Sequence, residues 1–111
     1  SGSKKLWTHA RIEKHVAQLA ADLAKMKKES SQPQSVDFSF YLKEWADQYG
    51  FTPGQVKAQF DQWSEDVKNS DNYRTLGLRA FYLKNFTRAA EYFTKDARQW
   101  NARAKKIQDA L

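Results

Sequence analysis

The side chains able to do chemistry in this 111-residue sequence are few, and their spacing does not suit it. The two histidines, His9 and His15, are six residues apart. Two imidazoles bind one metal from one helix when they stand four apart and leave the same face. A step of six turns the second ring away, and the lysine-rich surroundings make both read as surface histidines. The absence of cysteine removes thiolate zinc sites, disulfide frameworks and thiol nucleophiles. Acid–base catalysis would need two carboxylates aimed into one pocket, yet Glu13 and the other acids are interspersed among lysines. Gly50 and Gly54 enclose Pro53 and are not followed by Gly-Lys-Ser/Thr, so they make no phosphate loop. No serine, threonine or lysine has a recognisable activating partner. The expectation is a non-catalytic chain without metal or cofactor.

Charge raises a different chemistry. The net charge is +6, distributed as +4 over residues 1–30, −3 over 31–70 and +5 over 71–111. A basic terminus can neutralise nucleic-acid phosphates. Arg98, Arg103, Lys105 and Lys106, with Trp100 among them, form the stretch that comes nearest to such a surface. Basic helices also serve as solvated faces whose aliphatic stems cover apolar neighbours, and that reading takes precedence. No apolar run approaches the roughly 20 residues of a membrane span, and no signal peptide opens the sequence.

Glycine and proline number four and two, and most of them fall at breaks between helical patterns. A first helix is expected from about Trp7 to Glu29, with Ile12, Val16, Leu19, Leu23 and Met26 on one stripe. A polar linker around Pro33, about residues 30–36, follows. A second helix should run from Asp37 or Phe38 to Tyr49, carrying Leu42, Trp45 and Ala46, with Gly50 as its left-handed C-terminal residue. Thr52-Pro53-Gly54-Gln55 has the form of a capping box opening a third helix, which carries Val56, Phe60, Trp63 and Val67. A fourth helix, about Asn72 to Lys84, turns near Asn85 into a fifth. The fifth repeats Phe86, Ala90, Phe93, Ala97, Trp100, Ala104, Ile107 and Leu111 in steps of three and four. Such a heptad seam packs helices at a shallow angle, within one chain or between chains. No segment alternates with period two for long enough to be a strand. The fold class is all-α: five helices in hairpins, with long amphipathic helices at both ends.

From Tyr73 to about Ala97 the sequence resembles a tetratricopeptide repeat, a helix–turn–helix unit that stacks into protein-binding arrays. The resemblance rests on Tyr73, Leu76-Gly77, Phe86, Ala89 and Phe93. Ala80, Lys84 and Asp96 depart from the pattern, Lys84 standing near the usual turn glycine. The resemblance implies a concave binding face of Arg74, Leu78, Phe81 and Tyr82. Tyr73, Leu76, Ala80 and Leu83 would then form the packing stripe of the same helix. A weaker resemblance, over Tyr41 to Trp63, is to a helix-turn-helix DNA-binding unit, through Ala46, Gly50 and Val56. It implies a recognition helix, which the acidic Asp61, Glu65 and Asp66 oppose.

Together these features predict a protein–protein interaction or scaffolding module that binds a peptide or helix, within a larger cytoplasmic protein. Ser1-Gly2-Ser3 reads as the remnant of a cleaved tag, leaving residues 4–111 as one helical domain. Self-association through the terminal heptad seams is a variant of this reading. A nucleic-acid-binding domain using the helix-turn-helix-like hairpin and the basic terminal helices is the alternative.

Overall fold

A computed structural model of the chain describes residues 7–29 and 38–110. Its described residues form five helices and no strand: α1 (His9–Glu29), α2 (Phe38–Tyr49), α3 (Pro53–Asp66), α4 (Tyr73–Tyr82) and α5 (Phe86–Ala110). The all-α expectation is met. The helices gather in two compact units, Ser1–Asp66 and Val67–Leu111. The linker expected at 30–36, the Asp37 cap and Leu111 lie outside the described residues, as does the side chain of Met26.

In the first unit, α1 starts two residues later than expected. Thr8 caps it, accepting the Arg11 N–H on its hydroxyl. Trp7 therefore precedes the helix, and its own backbone N–H donates to the Gln59 side chain of α3. Ile12, Val16 and Leu19 are buried, as their spacing requires. Gly50 closes α2 at φ +75°, and the Phe51 N–H reaches back to the Ala46 carbonyl. That bond satisfies a carbonyl the helix end would otherwise orphan. The capping box of α3 forms in both directions: Gln55 N–H donates to the Thr52 hydroxyl at 3.1 Å and Thr52 N–H to the Gln55 side chain at 2.8 Å. Val56, Phe60 and Trp63 are all but fully buried. Val67, expected on α3, lies just past its end.

The second unit is an antiparallel hairpin of α4 and α5. Asn72 caps α4, its side-chain oxygen accepting the N–H groups of Arg74 and Thr75. Asn85 caps α5 through the Arg88 N–H. Between them Lys84 sits at φ +64°, the left-handed conformation that a tetratricopeptide turn would give to glycine. The helices approach closely at Gly77, where an added Cβ would lie 2.6 Å from Cε1 of Phe93. Ala89 is buried on the same face of α5.

The stripes of α4 depart from expectation. Ala80 is buried as its place on the packing stripe requires, but Leu78, Phe81 and Tyr82, expected on the open face, are buried as well, exposed by 2%, 8% and 9%, and Phe81 meets Phe86 edge-on at 5.6 Å. Leu83, expected on the packing stripe, is exposed because α4 ends at Tyr82 and Leu83 belongs to the turn.

Two substitutions test this hairpin. Alanine ordinarily stabilises a helix interior relative to glycine by about 1 kcal/mol. At position 77 it must displace the Phe93 ring, and overpacking of this kind costs roughly 1–3 kcal/mol. Gly77→Ala should therefore lower the melting temperature, and adding Phe93→Leu should recover part of the loss. A rise in the single variant would show that the approach is not tight. Lys84→Gly should raise stability by about 0.5–1 kcal/mol by relieving the left-handed turn.

Candidate functional site

Three surfaces follow from the sequence: the face of α4, the outer face of α3 and the length of α5. On α4, Arg74 is exposed while Leu78, Phe81 and Tyr82 are buried. In this conformation Arg74 is the one member of that set whose side chain a partner can reach.

On α3 the outward residues are Lys57, Asp61, Gln62, Glu65 and Asp66. Lys57 is paired with Asp61 at 2.7 Å, and Gln62 donates to Asp66 at 2.8 Å. The hydrogen bonds from Gln62 and from His9 hold the Asp66 carboxyl below the usual carboxylate range. Asp66 thus stays an anion. A recognition helix with this surface would meet DNA phosphates with net negative charge.

The length of α5 presents a different surface. A helix of its span rises about 37 Å, while the ten residues of α4 rise about 15 Å. The hairpin covers only the first part of α5, through Ala89, half-buried Tyr92 and Phe93, and Asp96. Tyr73 stacks on Tyr92 at 6.3 Å, and the Lys95 ammonium lies over both rings. From Ala97 to Ala110 every residue is exposed. Trp100 is exposed by 63% and Ile107 by 64%. Trp45, Phe60 and Trp63, on the apolar stripes of α2 and α3, are buried, whereas Trp100, on the heptad seam of α5, is not. Periodicity alone gave the same signal for both.

Arg98, Arg103, Lys105 and Lys106 are all exposed on this part of α5. Helical spacing puts Arg98 and Lys105, seven apart, on one side and Arg103 on the opposite flank. Lys106 falls between them, so the four cations share the half of the helix that faces away from Trp100 and Ile107.

The histidines divide. His9 is exposed and lies 3.1 Å from Asp66, as a surface histidine should be. His15 is not on the surface: it is exposed by 7%. Its ring lies 4.8 Å from Trp45, 5.0 Å from Trp7 and 5.7 Å from Tyr49. Neither ring nitrogen has a hydrogen-bond partner among the described residues. The helical step was informative here. His15 follows Ile12 by three and precedes Leu19 by four, which puts it on the buried arc of α1 whatever the charge of its neighbours. Among the described residues there is no group of three or more side chains that could hold a metal ion, and no helix is long and apolar enough to cross a membrane.

Burial, together with the nearby Arg11 and Lys14, pushes the His15 pKa below its ordinary 6.5. The folded unit therefore holds His15 neutral, while the unfolded chain takes up a proton near pH 6.5. Stability should be full above that pH and fall as the solution is acidified through it. His15→Leu should flatten this part of the profile, measured as melting temperature between pH 8 and pH 5; an unchanged slope would assign the acid sensitivity to other groups.

No protein-family model, curated protein or solved structure matches the chain.

Proposed function

We propose that the chain is a non-catalytic interaction module of a larger cytoplasmic protein, taking up an amphipathic helix along the exposed apolar stripe of α5. The observation that carries this reading is the run of Ala97, Trp100, Ala104 and Ile107, spaced as a packing seam and exposed to water. Large apolar side chains at seam spacing on an uncovered helix are the usual sign of a partner face. Tryptophan is the residue type most often found to anchor such contacts. The tetratricopeptide reading of the hairpin is supported by Gly77 against Phe93 and by buried Ala89, the small residues that let such a pair of helices close up. Arg74 remains available to orient a partner at the hairpin's other helix.

Replacing Trp100 and Ile107 together with serine should abolish retention of partner proteins on the immobilised chain. Helicity and melting temperature should change little, since neither side chain is buried. Retention indifferent to both substitutions would remove the stripe as the binding surface.

The exposed Arg98, Arg103, Lys105 and Lys106 support nucleic-acid binding as a second reading. Its signature is a duplex affinity that falls steeply from low to physiological salt, with the slope flattened when Arg103, Lys105 and Lys106 become glutamine.

A further inference from the structure

We infer that the helix received by this stripe is α5 of a second copy of the same chain, laid antiparallel across the first. This rests on the reading of α5 as a partner face. Three features of the helix select that occupant.

The first is self-complementarity. Large and small residues alternate along the seam: Ala90, Phe93, Ala97, Trp100, Ala104 and Ile107. With a two-fold axis between Arg98 and Gln99, antiparallel pairing sets Ala97 against the second copy's Trp100. Phe93 then faces the second copy's Ala104, and Ala90 its Ile107. Every ring or branched side chain meets an alanine, which suits the even filling of a close-packed seam. Parallel pairing would put Trp100 on Trp100 and leave alanine facing alanine.

The second is charge. Asp96 and Arg103 are seven apart and occupy the flanking position just before Ala97 and Ala104 of the seam. In the antiparallel register above, these flanks face one another, so Asp96 of each copy meets Arg103 of the other, twice per dimer. Sliding the pair by one heptad moves the axis close to Arg103 and brings two arginines together. The parallel arrangement offers Asp96 only Asn101, and Arg103 only Gln108. Neither Asp96 nor Arg103 carries an ion pair within the chain among the described residues. Arg98, Lys105 and Lys106 project away from the seam, where salt screens them.

The third is continuity. Phe93 packs on Gly77, is only half-buried, and stands one seam step before the uncovered stripe. The second copy's helix would extend the α4–α5 packing into a third helix without a break.

The test is the mass of the full chain in solution across a concentration series, by sedimentation or light scattering. The mass should rise from 12.9 kDa toward twice that value, and Ile107→Glu should abolish the rise. Asp96→Arg and Arg103→Asp should each weaken association by about tenfold, since both turn two attractions into two repulsions. The double variant should return to within about threefold of the parent. Arg103 and Ile107 are exposed and Asp96 is half-buried at the edge of the hairpin, so circular dichroism of each dilute variant checks that its fold is kept. Association that ignores Ile107→Glu, or charge reversals without rescue, would overturn the pairing. A monomer at every concentration that still captures another protein through Trp100 and Ile107 would overturn the second copy and leave the partner face intact. A monomer without that capture would overturn both.

Discussion

The close approach of Phe93 to Gly77 determines what the rest of α5 can do. A glycine in the middle of a helix gives up propensity, and here it exchanges that for the space of a missing Cβ. The ring fills the space, Ala89 lies flat one turn earlier, and the two helix axes are drawn together on that side. Once α4 is held there, its short span leaves the far part of α5 beyond reach. The exposed stripe is thus a consequence of unequal helix lengths as much as of the apolar residues it carries.

The first unit is organised differently. Trp7, Trp45 and Tyr49 gather around His15, Phe60 packs on both Trp7 and Trp45, and Trp7 also meets Phe51 at 6.1 Å. Aromatic rings at these distances and tilts contribute specific packing beyond their buried area. An imidazole is tolerated among them only as the neutral ring, so the unit encloses a titratable group in a largely apolar site. The site holds three nitrogens, both of the His15 ring and the indole nitrogen of Trp7, that the described residues leave without hydrogen bonds, a stability cost of order 1–3 kcal/mol for such a group.

Local rules made much of this legible in the sequence. Thr52 and Gln55 write their own hydrogen bonds, and Gly50 ends α2 in the one conformation its neighbours would resist. Gly77, Ala89 and Phe93 could be placed together because small and large residues at those steps meet in a hairpin. What escaped was burial, which depends on other elements. His15 looked like a surface residue because charge surrounds it in sequence, although its angular position put it inward. Leu78, Phe81 and Tyr82 were read as an open face and are buried. Trp100 stands on a packing seam by its spacing and is exposed. In each case the periodicity was read correctly. Periodicity reports which residues share a side of a helix, and only the neighbours decide whether that side is wet.

The distribution of tryptophan gives the chain an internal reporter. Trp7, Trp45 and Trp63 are enclosed in the first unit, while Trp100 stands in water on α5. A soluble collisional quencher such as acrylamide or iodide should extinguish the indole emission of Trp100 and spare the other three. The quenchable fraction of the fluorescence is then an optical readout of one helix alone. Anything that seats itself over the stripe becomes visible without a label, while the enclosed indoles record whether the first unit has stayed folded.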